Sequence, residues 1–212
     1  MVVAVGGCGP QVAEKVKKHA EAIKVGEGMG EGVEMGPVIS AKAKDRIVGL
    51  IDDAEKRGSK VVLDGRGLTV PGYENGHFLG PTVLDDVPLD APVYTEEVFG
   101  PVLAIVHADT YEEALKIVNA QPFGNGSAIF TNDGGVARRF TLDVEAGMVG
   151  VNVPIPTPVA FYSFGGWKES LLGDTHIHGP EGVTFYTRAK AITERWPTEK
   201  TYAATMSFQR EE

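Results

Sequence analysis

The chain has 212 residues, with 20 Lys and Arg against 29 Asp and Glu, which gives a formal net charge of −9. Its hydrophobic share of 42% and charged share of 23% are those of an ordinary globular protein, so a disordered chain is excluded. Nucleic-acid binding and docking on an anionic membrane need clustered Lys and Arg, which this acidic chain lacks. The single cysteine excludes an internal disulfide, and no apolar run reaches the roughly 18 residues of a membrane span.

Strand and helix patterns alternate along most of the chain. Apolar runs bounded by turn residues predict strands over 2–5, 61–63, 82–84, 102–106, 127–131 and 148–153. Apolar stripes at helical spacing predict helices over 11–24, from Ser40 to about Gly58, after Thr110, and over 136–145. Short extended pieces are expected over 183–186 and 189–194. The alternation predicts an α/β fold with a mostly parallel sheet flanked by helices.

The segment after the last predicted strand has a different composition. Three prolines fall between Pro154 and Pro158, and the run from Phe161 to Trp167 is rich in aromatic residues and glycine. Such a segment cannot form a helix and is a poor central strand. Because ligand pockets of α/β proteins lie at the carboxyl ends of sheet strands, a binding loop is expected here.

A pair of carboxylates, Glu96 and Glu97, precedes Phe99, a Gly-Pro turn and the predicted strand over 102–106. The turn and strand fix Glu97 near the strand's entrance. A carboxylate held in this way can accept hydrogen bonds from the two hydroxyls of a ribose, and the neighbouring ring offers an apolar wall. The alternative is that both carboxylates form a solvated charged face.

Cys8 lies between a predicted strand and a predicted helix, within a glycine-rich turn. A helix amino terminus lowers a thiol pKa, which would favour a reactive cysteine, and the turn could also cradle a phosphate. The simpler interpretation is a small cysteine packed in a turn, because no base can be assigned to it and the phosphate-loop pattern is incomplete.

Asp174, His176 and His178 occupy alternate positions, which on an extended segment project to one side. They suggest a metal-dependent hydrolase as a second class of function. The alternative is that both histidines bond loop backbone, and no further ligand is evident, so no metal site is assigned.

Several segments, taken in order, resemble the aldehyde dehydrogenase superfamily over residues 1–196. They are 35–40, 96–102, 125–130, 147–152 and 164–168. Within it, segments 152–156, 160–168 and 173–182 resemble the methylmalonate-semialdehyde dehydrogenases, the branch that acylates coenzyme A. A truncated aldehyde dehydrogenase catalytic domain is therefore the expected fold.

This resemblance implies NAD-dependent oxidation of malonate or methylmalonate semialdehyde, with decarboxylation and acyl transfer to coenzyme A as co-substrate. It implies that Glu97 holds the nicotinamide ribose and that Phe99 packs near the nicotinamide ring. It also implies that one loop walls the substrate tunnel. The tunnel residues are Ile155, Pro156, Phe161, Phe164 and Trp167.

The resemblance also implies what the chain lacks. In the superfamily the nucleophilic cysteine and most of the NAD-binding domain lie upstream of the strand that here begins at Met1, so Cys8 is not equivalent to the nucleophile. No catalytic residue is therefore expected in this chain, and the chain alone is expected to be inactive. We expect the carboxyl-terminal part of the enzyme. Its parts are a partial catalytic domain over 1–187, an oligomerisation strand over 188–196 and a polar tail over 197–212.

Two roles for such a chain remain open. Either its activity belongs to a longer polypeptide or a split gene that supplies the nucleophile, or it is a non-catalytic fragment for oligomerisation or interaction. The full-length enzyme is expected to be a homo-oligomer that processes a small-molecule semialdehyde without nucleic-acid or membrane partners. A bacterial-type cytoplasmic location is expected because no targeting segment is visible. The alternative is a mitochondrial leader, which would lie in the missing amino-terminal part.

Overall fold

The computed structural model describes residues 1–194 and 196. Its strands are β1 Val2–Val5, β2 Lys60–Leu63, β3 Thr82–Asp85, β4 Val102–Ala108, β5 Phe123–Gly124, β6 Gly126–Ile129, β7 Met148–Val151 and β8 Trp167–Lys168. Its helices are α1 Gly9–Glu21, α2 Ala41–Lys56, α3 Pro92–Thr95, α4 Tyr111–Asn119, α5 Gly134–Asp143 and α6 Gly179–Phe185. The chain divides into a larger unit, residues 1–157 with 165–172, and a smaller unit, residues 158–164 with those from 173 onward.

The main sheet of the larger unit has the strand order β1-β4-β3-β2. β1, β4 and β3 are parallel, and β2 runs antiparallel at one edge. Successive residues of β3 point to opposite faces, so Leu84 packs in a core with Ile47 of α2, whereas Val83 packs in a second core with Ala13 of α1. Helices thus cover both faces, which confirms the predicted α/β fold with a mostly parallel sheet.

A second parallel pair, β6 with β7, packs against α5 through the buried Phe140. α4 serves both sheets, because Ile117 lies in the core of the main sheet and Leu115 packs in the core around Phe140. The antiparallel pair of β5 with β8 completes this unit. Three prolines and two glycines in the segment between β7 and β8 help to keep it free of helix and strand.

Side-chain caps define three helix starts. The Ser40 hydroxyl accepts from the backbone N–H of Ala43, and the Thr110 hydroxyl accepts from that of Glu113, as the sequence predicts. Asp133 caps α5 in the same way, so this helix begins two residues before the predicted position 136. Among the described residues no helix is both long and apolar enough to cross a membrane.

The extended piece predicted over 183–186 is wrong, because Val183 to Phe185 belong to α6. Pro180 occupies the first turn, where its missing N–H costs nothing, and Glu181 places a negative charge near the helix amino terminus. Described residues 188–194 and 196 form no strand within this chain. The oligomerisation strand expected there would pair with another subunit and stays a prediction. Residue 195 and the polar tail over 197–212 lie outside the described residues.

Candidate cofactor and substrate site

Glu97 lies in the short connection between α3 and β4, and the guanidinium of Arg46 on α2 holds this connection in place. Nη2 of Arg46 donates to the carbonyl oxygen of Glu97 at 3.0 Å and to the Glu96 carboxylate at 3.1 Å. Nη1 donates to the carbonyl oxygen of Val98, also at 3.0 Å. Glu96 is therefore paired with Arg46, whereas the exposed Glu97 carboxylate has no hydrogen bond or ion pair with any described residue.

Phe99, two positions after Glu97, projects its aromatic ring into solvent. Phe99 has a φ of +51°, in the left-handed region, and the residue is 81% exposed. The next residue, Gly100, lies so close to α2 that a Cβ there would be 2.5 Å from Cδ1 of Ile47. Because Gly100 packs against Ile47, and Arg46 fixes the peptides just before Phe99, the backbone that carries the Phe99 ring has a restricted position next to Glu97.

The predicted tunnel residues Ile155 and Pro156 lie in the larger unit, where the chain folds back over the β6–β7 pair. A Cβ on Gly126 would lie 3.4 Å from Pro156, and one on Gly150 would lie 3.3 Å from Pro156 and 2.6 Å from the carbonyl oxygen of Val153. Pro156 thus packs against Gly126 and Gly150, where a side chain would leave it little or no room. Ile155 is left largely exposed.

Trp167, another predicted tunnel residue, pairs through β8 with Gly124 of β5 and is half exposed. The neighbouring Lys168 has a φ of +52°. Its ammonium donates to the carbonyl oxygen of Asn119 at 2.7 Å and lies 2.7 Å from the Glu145 carboxylate. Lys168 therefore fastens β8 to the end of α4. This contact spans 49 positions of the sequence, so no local pattern predicts it.

Phe161 and Phe164, the remaining tunnel residues, belong to the smaller unit. Phe161 is exposed and packs on the ring of Tyr162 at a centroid distance of 4.4 Å. Phe164 stacks on His178, with centroids 4.6 Å apart and the rings nearly parallel. The five tunnel residues thus form two local groups, three in the larger unit and two in the smaller one, and their common tunnel stays a prediction.

The described geometry gives both histidines of the predicted metal triplet other partners. His176 donates its backbone N–H to the Glu181 carboxylate at 2.7 Å, and its Nδ1 lies 3.1 Å from the same oxygen. The hydrogen bond from the His176 backbone N–H is the main cause that holds the pKa of Glu181 below its ordinary value, and the His176 imidazole lowers this pKa further. With His178 stacked on Phe164, the ligand atoms of Asp174, His176 and His178 do not meet as one group among the described residues.

Cys8 is exposed and precedes α1, and no described side chain hydrogen-bonds to its sulfur. The group of potential metal ligands that the described residues bring together lies elsewhere, at Asp85, Asp86 and His107. There the imidazole is paired with both carboxylates, and Lys60 pairs with Asp86 at 2.6 Å. These groups are hydrogen-bonded or paired with one another, so we assign neither a nucleophile nor a metal to these residues.

The chain belongs to the aldehyde dehydrogenase family, which matches residues 2–192. It is 48% identical over 209 residues to the malonate-semialdehyde dehydrogenase of Pseudomonas aeruginosa, covering 96% of this chain and 42% of that relative. It is 46% identical over 190 residues to the mitochondrial methylmalonate-semialdehyde/malonate-semialdehyde dehydrogenase [acylating] of Bos taurus, covering 90% of this chain and 35% of that relative.

A crystal structure complexed with NAD, from Sinorhizobium meliloti 1021 and assigned as a methylmalonate-semialdehyde dehydrogenase, matches with a TM-score of 0.89 at 46% identity. The match covers 93% of this chain and 41% of that chain. These findings confirm the family that the sequence motifs indicate. They also establish that the chain spans roughly two fifths of the length of the relatives it matches, so the activity of a whole enzyme cannot be assigned to it directly.

Proposed function

We propose that this chain is the carboxyl-terminal part of an NAD-dependent, coenzyme A-acylating dehydrogenase of malonate or methylmalonate semialdehyde. The observation that carries the proposal is the free Glu97 carboxylate, presented beside the exposed Phe99 ring on a loop that Arg46 holds. The names of the relatives support the substrate class and the acylation, and the NAD complex of the Sinorhizobium meliloti structure supports the cofactor.

Two side chains of this chain are suited to hold the nicotinamide half of NAD. NAD, when bound, supplies the hydride acceptor for the oxidation. Glu97 would accept hydrogen bonds from the two hydroxyls of the nicotinamide ribose, and Phe99 would exclude water from one side of the ring. Both side chains orient the cofactor, and neither one reacts with the aldehyde.

The chemistry on the substrate needs a group that this chain does not place at the site. In the proposed reaction a cysteine thiolate would attack the aldehyde carbon, and the aldehyde hydrogen would leave as hydride to NAD, which gives a thioester. The carboxyl group would leave as carbon dioxide, and the acyl group would pass to the thiol of coenzyme A, which frees the cysteine. Cys8 follows the carboxyl end of β1, whereas the Glu97 loop precedes the amino end of the parallel neighbour β4, and no described base bonds to Cys8. We therefore propose that the nucleophile comes from polypeptide outside this chain, which alone has no turnover.

The test combines this chain with the part of the Pseudomonas aeruginosa relative that the chain does not match, as one fused polypeptide. We expect the fusion to form NADH from malonate semialdehyde, NAD and coenzyme A. In it, Glu97→Gln raises the KM for NAD by roughly 10–100-fold, because the charged acceptor becomes neutral and only one of its two oxygens remains. The matched variant Glu96→Gln leaves the KM within about two-fold, since Glu96 faces Arg46. A fusion without NADH formation, or equal effects of both variants, contradicts the proposal.

A non-catalytic role in assembly is a second candidate, and the smaller unit supports it. α6 contains no buried residue, and Val183, Phe185 and Tyr186 are largely exposed. Apolar side chains presented in this way favour a protein partner. If assembly is the whole function, the purified chain forms a defined oligomer by sedimentation, and the fusion makes no NADH. The homo-oligomer and the cytoplasmic location remain predictions for the complete enzyme.

A further inference from the structure

We propose that Arg46 is a positioning residue that sets the geometry of Glu97 and Phe99 for the cofactor, an inference that rests on the proposed function. Arg46 lies 51 positions before Glu97 and gives no sign of this role in the sequence. Its guanidinium contacts three consecutive residues, Glu96, Glu97 and Val98, through two different nitrogens.

The contacts to backbone carbonyls matter more than the ion pair. The side chains of Arg46 and Glu96 are 45% and 56% exposed, so water and salt screen their attraction. The planar guanidinium, in contrast, directs N–H groups from separate nitrogens at the carbonyl oxygens of Glu97 and Val98, both at 3.0 Å. Two neighbouring peptide planes are thereby fixed immediately before Phe99.

The effect of this fixation is selective. Arg46 pairs with the Glu96 carboxylate and leaves the Glu97 carboxylate free. Glu96 therefore helps to hold the loop, and Glu97 remains available to the cofactor. On the next position of α2, Ile47 blocks any side chain at Gly100. Arg46 and Ile47 hold the loop from both ends of Phe99, whose left-handed backbone needs such support because a bulky residue adopts it at a cost.

The first test uses the chain as it stands. NMR relaxation gives backbone order parameters for the amides of Glu97, Val98 and Phe99 in the wild type, in Arg46→Ala and in Arg57→Ala. Arg57 is the matched control, because it is a similarly exposed arginine at the end of α2 that pairs with Asp53 and Asp90. We expect values near 0.85 in the wild type and in Arg57→Ala, and values approaching 0.6 in Arg46→Ala. Equal order parameters in the two variants would overturn the proposal.

The second test uses the fused polypeptide and a fluorescence titration with NAD, which needs no turnover. Arg46→Ala is expected to weaken NAD binding by roughly 3–10-fold relative to Arg57→Ala. Arg46→Lys keeps the charge but not the planar fork, so it should recover only part of the affinity. Wild-type affinity in Arg46→Ala, or full recovery in Arg46→Lys, contradicts the positioning role. A wild-type fusion that binds NAD but never reduces it contradicts the proposed function. The NAD affinities of the Arg46 and Arg57 variants can still be compared in that case.

Discussion

Asn152 pairs its side-chain amide with both backbone groups of Thr131. Its Nδ2 donates to the Thr131 carbonyl oxygen at 3.0 Å, and its Oδ1 accepts from the Thr131 N–H at 2.9 Å. The residue has a φ of +56°, so the chain turns out of β7 at this point. Asn152 therefore ends β7 at Val151, two residues before the predicted end at 153. The following segment, which contains Pro156, then folds back over Gly126 and Gly150.

Replacing Asn152 by alanine should lower the free energy of unfolding by about 1–2 kcal/mol. The variant loses both hydrogen bonds and forces alanine into a left-handed backbone conformation. Asn152→Gly is the matched variant, because glycine adopts this conformation freely, and it should lose less stability than alanine. Urea unfolding measures both. Equal losses would contradict the claim that the backbone conformation contributes.

Gly150 should not tolerate a side chain, whereas Gly49 should. An alanine Cβ at Gly150 would meet the Val153 carbonyl oxygen and Pro156, so Gly150→Ala is expected to cost about 1–3 kcal/mol. Gly49 lies in the middle of α2 with open space around it, and Gly49→Ala is expected to stabilise the protein by about 0.5–1 kcal/mol. Thermal or urea unfolding of the two variants decides. If Gly150→Ala is as stable as the wild type, Pro156 does not pack against Gly150.

Acid should weaken the cluster around Arg66, which contacts the carboxylates of Asp52, Glu55 and Asp64. Hydrogen bonds from Arg66 hold the pKa of Asp64 below its ordinary value. A lowered folded-state pKa means that this stabilisation is present above pH ~4 and is lost as the pH falls through the folded value.

Arg66→Gln should therefore be less stable than the wild type at pH 6, by about 0.5–1 kcal/mol because Asp64 is half exposed, and the difference should shrink as the pH falls from 5 to 2. Arg138→Gln makes the same change in net charge on α5, where Arg138 is exposed and has no carboxylate partner among the described residues, and it serves as the control. A difference between Arg66→Gln and the wild type that stays constant over this pH range would show that the cluster does not titrate as argued.

Local chemistry made much of the fold predictable. Ser40 and Thr110 cap helices through their own hydroxyls, and the apolar run over 102–106 forms the central strand β4. The local signals conflicted at Val183, where β-branched and aromatic residues suggested a strand but Pro180 and Glu181 in the first turn favoured the helix that forms.

The candidate site was predictable only in part. Glu97 and Phe99 were recognisable because a carboxylate and a ring directly precede a Gly-Pro turn and a buried strand. Arg46 and Lys168 did not, because their partners lie 51 and 49 positions away and are brought near only by the fold. Residues that position a loop from a distant element leave no periodic signal, and they are found only when the packing is known.

The most direct test of the account measures NADH formation by the purified chain with malonate semialdehyde, NAD and coenzyme A, in parallel with the Cys8→Ser variant and the fused polypeptide. We expect no NADH from the chain or from Cys8→Ser, and turnover only when the polypeptide carrying the nucleophile is present. NADH formation by the chain alone that disappears in Cys8→Ser would contradict it.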